Sequence, residues 1–252
     1  MSKFKKALKT AGSNLQQLPM VHNTDCFTLS KVVDNGEVSP SFCNHFQEEL
    51  TYLFYGRPAY RVNITAEPTS LRHHFPVCLI FDPQLELDVK RVFPFDSGAF
   101  FSGAYSEHMH SDMEISDFLI GNNLADCKSL VSTFFGSNEQ YFMGKAIDVA
   151  HLDPSHFEAQ SYVSLINNKA SNSVDGRSFC VEIQTGKPIN ILGAVSAIIL
   201  PSEFCDTELG RKLAEMNIDL LPYCVHERSR PNEYMSTIAD CCKTYLLSKG
   251  LL

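Results

Sequence analysis

Apolar residues along this chain fall into short runs whose period changes from segment to segment. Near the start, Phe4, Ala7, Leu8 and Ala11 recur at helical spacing, which predicts a weakly amphipathic helix over 1–18. Residues 19–24 read as a short strand. A helix follows to about Asp34, with Thr28 as a candidate cap and Gly36 as the left-handed residue that ends it. Phe42, Phe46, Leu50 and Leu53 again match a helix. From 59 to 65 the pattern alternates, with Tyr60, Val62 and Ile64 on one face of a strand.

The run Pro76-Val77-Cys78-Leu79-Ile80-Phe81 is continuously apolar and is bounded by prolines, the pattern of a strand covered on both faces. Arg91 to Phe95 predicts a short strand breaking into the Asp96-Ser97-Gly98 turn, where Asp96 fits an Asx turn. Helices are expected over 113–119 and 124–134, and a short one from Asn138 to Met143. Residues 158–168 fit more than one element, and 169–176 form a polar loop. Phe179 to Gln184 alternates as a strand, and Thr185-Gly186-Lys187-Pro188 turns into Ile189 to Leu192 as a hairpin. A strand from Ala194 stops at Pro201, and a C-terminal helix spans 235–248. Strands without regular βαβ spacing indicate an α+β fold in a single domain over 1–252.

Composition narrows the function classes. The 252 residues carry a formal charge of −8 and are 44% hydrophobic, with 18 Phe and 9 Tyr standing in for absent Trp. An acidic chain of this kind lacks the basic stripe of a protein wrapped on duplex nucleic acid. The one basic cluster, Lys3, Lys5, Lys6 and Lys9, reads as a solvated end. The nine cysteines are odd in number and contain no Cys-x-x-Cys pair, so no disulfide framework or zinc ribbon is legible. That usage, the absence of a signal-type apolar segment and the absence of a membrane-length run predict a cytoplasmic protein without membrane contact.

Candidate chemistry gathers at three places. His22, Asn23 and Thr24 close the first strand. Arg57 and Tyr60 lie in Phe54-Tyr55-Gly56-Arg57-Pro58-Ala59-Tyr60. Glu182 is the acidic residue inside the apolar run from Phe179 to Ile183. Together these residue types suit cleavage of a ribosyl bond. Imidazole, amide and hydroxyl groups grip a ribose and a carboxamide, an arginine binds phosphate, an aromatic ring stacks, and a carboxylate stabilises an oxocarbenium-like centre or takes a proton.

In this order the segments resemble the ADP-ribosyltransferase superfamily. His22-Asn23-Thr24 followed by Leu29, Val33 and Gly36 is similar to its opening. Gly56-Arg57-Pro58-Ala59-Tyr60 resembles either the Gly-x-Gly-x-Tyr segment of poly-ADP-ribose-polymerase-like enzymes or the aromatic-Arg segment of DarT-type toxins. Val181-Glu182-Ile183 stands where the glutamate strand belongs. Pro58 replaces a glycine of the first pattern, and Cys180 stands where an arginine-modifying enzyme carries a second acidic residue. The resemblance implies a split β-sheet core with flanking helices, and NAD as substrate with no metal. It makes Glu182 the catalytic carboxylate and His22, Asn23, Thr24, Arg57 and Tyr60 the NAD-binding residues. It also implies transfer to a macromolecular acceptor, protein or nucleic acid, or to water, in a toxin or antiviral-defence setting with a possible neutralising partner protein.

Two other classes stay open. His108-Met109-His110-Ser111-Asp112 matches the start of a zinc-hydrolase ligand set, although Met113 stands where a further ligand is expected. A non-catalytic binding module of the same fold is the third.

Overall fold

The computed structural model describes residues 2–8, 14–59, 67–149, 152–168 and 175–252. Its strands are β1 (Met20–Asp25), β2 (Glu37–Val38), β3 (Ser41–Cys43), β4 (Glu48–Tyr55), β5 (Pro76–Phe81), β6 (Val89–Phe93), β7 (Glu182–Thr185), β8 (Ile189–Asn190), β9 (Val195–Pro201) and β10 (Asp219–Tyr223). Its helices are α1 (Lys3–Lys6), α2 (Cys26–Asn35), α3 (Ser97–Phe101), α4 (Leu124–Phe134), α5 (Asn138–Phe142), α6 (Phe157–Ile166), α7 (Glu208–Glu215) and α8 (Met235–Ser248). The class is α+β. None of the helices among the described residues is long and apolar enough to cross a membrane.

The chain groups into two compact units, one of residues 19–88 and 186–250, the other of 1–18, 89–185 and 251–252. The first holds a mixed sheet in the order β10-β9-β5-β1-β4, with β3 on β4. β9 and β10 run parallel and are joined through α7, as a parallel pair requires. Every residue of β5 is buried, as its unbroken apolar run predicts, and both α2 and α8 pack on it. β2 and β8 form a separate antiparallel pair.

The second unit pairs β6 with β7 antiparallel and surrounds them with α1 and α3–α6. Its core is aromatic. Phe4 stacks on Phe134 and meets Phe118 and Tyr162, while Phe95 touches Phe100, Tyr105 and Phe118. Phe4 is fully buried, which anchors α1 by about 2–3 kcal/mol of apolar transfer. Within the basic cluster Lys3 and Lys6 stay exposed as expected of a solvated end, Lys5 is half-buried, and Lys9 lies outside the described residues. Lys5 pairs with Asp126 at 2.8 Å and Lys3 with Glu158 at 3.5 Å, both carboxylates being largely buried.

Several local expectations need correction. Only Lys3–Lys6 of the helix predicted over 1–18 is helical among the residues described there. The helix predicted over 42–53 is instead the hairpin of β3 and β4. Gln47 turns it at φ 54°, a left-handed conformation no helix interior admits, and Thr51, Tyr52, Phe54 and Tyr55 are strand-favouring types. The cap of α2 is Asp25, whose carboxylate accepts from the Thr28 backbone N–H at 2.7 Å; Gly36 ends the helix at φ 74° as expected. Residues 113–119 hold only a 3-10 turn over Ile115–Phe118. The Thr185–Pro188 turn does not close a hairpin, because β7 pairs with β6 and β8 with β2. The strand over 59–65 and the loop over 169–176 fall largely outside the described residues.

Removing the Asp25 carboxylate strands an N–H of the first turn of α2. Asp25→Ala is expected to lower the unfolding free energy by about 1 kcal/mol, read from urea midpoints, while Asp25→Asn retains most of it.

Candidate functional site

β1 positions His22, Asn23 and Thr24. Its side chains alternate, so His22 and Thr24 share one face and Asn23 points to the other. The ladder from β1 to β5 runs through to Asp25, but the ladder to β4 covers only Met20–Tyr55 and Val21–Phe54. Beyond Val21 the sheet is split on that edge.

In the split, His22 Nδ1 meets the backbone carbonyl of Tyr52 at 2.9 Å. A carbonyl only accepts, so Nδ1 carries the proton. Burial pushes the imidazole's pKa down by more than the Tyr52 bond raises it. The ring is therefore neutral near pH 7, and Nε2 is left as an acceptor. Asn23 donates its amide to the Ala59 carbonyl on the other face, and this arrangement serves the loop after β4.

Arg57 follows Gly56, which sits at φ 69° and donates its N–H to Pro19 O at 2.8 Å. That left-handed turn swings the chain away at the end of β4. Arg57 is half-buried, and its charge opposes the burial that raises the Cys242 thiol to about 12. Tyr60 lies outside the described residues.

Glu182 belongs to the other unit and opens β7. It is 1% exposed, buried together with its neighbours Val181 and Ile183. Ser97 donates twice to it, from its backbone N–H to Oε2 at 2.9 Å and from Oγ to Oε1 at 2.7 Å. Gln184 donates to Oε1 at 2.6 Å and to Ser97 Oγ at 3.3 Å. The amide of Gln184 is oriented by Arg91, whose Nε donates to its Oε1 at 2.7 Å. Ser97 is placed by Asp96, which caps α3 by accepting from the Ala99 N–H at 2.6 Å. Asp96 thus acts as a helix cap rather than as an isolated turn residue.

Opposing effects act on the Glu182 proton. Burial and the Asp96 charge raise its pKa, while the bonds from Ser97 and Gln184 lower it. Burial wins, and the carboxyl is pushed up to about 8. Such a group exchanges its proton close to neutral pH. Ser97, Gln184 and Arg91 were not singled out from sequence as site residues. The available signals were the polar Ser97 after Phe95-Asp96 and the Glu182-Ile183-Gln184 alternation, which puts Glu182 and Gln184 on one face.

The zinc alternative meets a different geometry. His108 Nδ1 lies 2.9 Å from Ser164 Oγ and its Nε2 2.9 Å from Asn168 Nδ2, so both ring nitrogens are engaged. His110 and Asp112 are exposed and 3.9 Å apart. Among the described residues no three His, Cys, Asp or Glu side chains gather as a metal-binding group. All nine cysteines are free thiols.

Because the folded-state pKa of Glu182 lies above its ordinary value, the folded chain holds a proton there that the unfolded chain releases. This contribution is fully present below about pH 4.5 and is lost as pH rises through about 8. The slope attributable to this carboxyl is at most about 1.4 kcal/mol per pH unit. Glu182→Gln is expected to flatten that slope in urea unfolding between pH 6 and 9; an unchanged slope in the variant would remove Glu182 as its source.

No known protein family, characterised protein or solved structure is matched by this chain.

Proposed function

We propose that the protein cleaves the nicotinamide–ribose bond of NAD and transfers the ADP-ribosyl group to a macromolecular acceptor or to water. The observation that carries this reading is the neutral His22 ring, fixed by the Tyr52 carbonyl so that Nε2 accepts, on the same face as Thr24 where β1 has parted from β4. A bare ring nitrogen beside a hydroxyl suits a ribose hydroxyl, whose proton Nε2 receives. A split sheet is also what the resemblance to ADP-ribosyltransferases implies. Arg57 would balance phosphate charge, and Tyr60 would stack on nicotinamide.

The resemblance gives Glu182 of the second unit the role of the carboxylate that stabilises an oxocarbenium-like centre or takes a proton. Its Ser97 and Gln184 bonds hold one rotamer, so the charge is positioned before reaction begins. Both roles need the ionised form. Turnover is therefore expected to rise with pH and to level off above about 8.

The closure of Glu182 favours a second reading, a module that binds NAD without turning it over. Nicotinamide release by purified protein separates the two. Wild type is expected to release nicotinamide, Glu182→Gln to lose at least about a hundredfold in rate while staying folded, and Arg57→Ala to need more NAD for half-maximal rate. NAD binding without release would establish the module instead, and neither binding nor release would end both readings.

A further inference from the structure

α1 has little means of holding itself. It is a single turn of four residues, too short to stand as a helix alone in water. Lys3, Lys5 and Lys6 put three positive charges into it, and its first turn has no acidic residue, so neither the helix dipole nor side-chain pairs within the turn support it. The surface beneath holds it instead. Phe4 stacks on Phe134 with ring centroids 5.7 Å apart and meets Tyr162 edge-on at 5.4 Å, and Ser2 Oγ donates to the Leu119 carbonyl.

The residues flanking Phe4 meet two carboxylates, Lys3 at Glu158 and Lys5 at Asp126. Glu158 is 3% and Asp126 9% exposed. Each gives one oxygen to a lysine, and its other oxygen, Glu158 Oε2 or Asp126 Oδ2, is buried without a partner. Burying such charge is costly unless it is fully paired and hydrogen-bonded, and a seat for Phe4 alone would not call for it. Gly121 makes way for one of the pairs: a Cβ there would lie 1.8 Å from Asp126 Oδ2 and 2.9 Å from Lys5 Nζ. An aromatic seat with two desolvated carboxylates is complementary to a basic–aromatic–basic triplet, and Lys3-Phe4-Lys5 is such a triplet.

We propose that the second unit carries a peptide-binding site for an aromatic residue flanked by two cations, which α1 fills as a tethered ligand and from which a basic segment of another protein displaces it. The formal charge of −8 favours a basic partner. The two unpartnered oxygens favour arginine over lysine in that partner, because a guanidinium donates two parallel N–H bonds to one carboxylate where each lysine engages a single oxygen. The site lies within the second unit and stands apart from the NAD reading.

Fluorescence anisotropy with a labelled Ser-Lys-Phe-Lys-Lys peptide, the sequence of residues 2–6, tests the site on the full chain. Self-occupancy lowers the apparent affinity of the wild type, so Phe4→Ala, which empties the aromatic seat, is expected to bind the peptide at least about tenfold more tightly. The peptide should also restore much of the melting temperature that Phe4→Ala loses. Adding Glu158→Gln to Phe4→Ala should weaken binding about tenfold, and a peptide with arginine in place of the two lysines beside the aromatic ring should bind more tightly. Equal affinity of the two peptides overturns the role given to the unpartnered oxygens. A Phe4→Ala chain that binds the peptide no better than wild type, or whose melting temperature the peptide leaves unchanged, overturns the site and makes α1 a fixed part of the core. A variant that folds only with the peptide supports the site, and one that stays unfolded with it overturns it. A dimeric wild type that turns monomeric in Phe4→Ala overturns the partner in favour of exchange of α1 between two copies.

Discussion

The parting of β1 from β4 after Val21 is the constraint on which the candidate chemistry of the first unit depends. A strand that stays paired on both edges has its backbone groups satisfied and its side chains committed to the two sheet faces. β1 keeps β5 along one edge through Asp25, which fixes where its residues sit. On the other edge the ladder stops, and the Tyr52 carbonyl accepts a hydrogen bond from the His22 Nδ1–H instead. One interaction thereby satisfies a backbone acceptor, selects the tautomer of the ring and holds its orientation. Without the split, Tyr52 would not be turned to the imidazole. Without the bond, neither ring nitrogen would have a defined role.

Glu182 represents the reverse strategy. Its carboxyl is enclosed and accepts from the Ser97 N–H, the Ser97 hydroxyl and the Gln184 amide, yet burial and the Asp96 charge still outweigh those donors. The result is a group whose two protonation states are both accessible near neutral pH. Its neutral form is the one that burial favours, and its ionised form is the one the Ser97 and Gln184 donors suit. A single proton therefore links stability and any chemistry at this position, with opposite signs. Raising pH makes the charge available and weakens the fold by the same equilibrium.

Legibility in the sequence followed the range of the interaction. β5 was readable because six buried residues in a row leave no polar position, and α8 because its apolar spacing is helical throughout. The strand ending in His22, Asn23 and Thr24 was readable from its local pattern, whereas the bond that turns Asn23 to the Ala59 carbonyl was not. β4 was misread because Phe42, Phe46, Leu50 and Leu53 happen to fall on a helical period while a left-handed Gln47 divides them between two strands. The Glu182 network was opaque for another reason. Ser97 is 85 residues away from Glu182, and Arg91 is 93 away from Gln184, so no window of sequence contains the partners. A turn serine and a strand arginine acquire meaning only when β6 is set beside β7.

The orphan groups complete this picture, because they mark where local stability and the arrangement of side chains disagree. Most polar side chains here that enter the interior take partners: Ser97 meets Glu182, Gln184 meets Arg91, and Tyr223 donates to the Pro76 carbonyl at 2.7 Å. Folding physics alone favours that outcome or an apolar replacement. Thr51 follows neither course, although valine would fill its place on β4. Its hydroxyl is enclosed as well as unpartnered, so β4 carries a desolvated polar group at the point where valine would fit the strand without that cost.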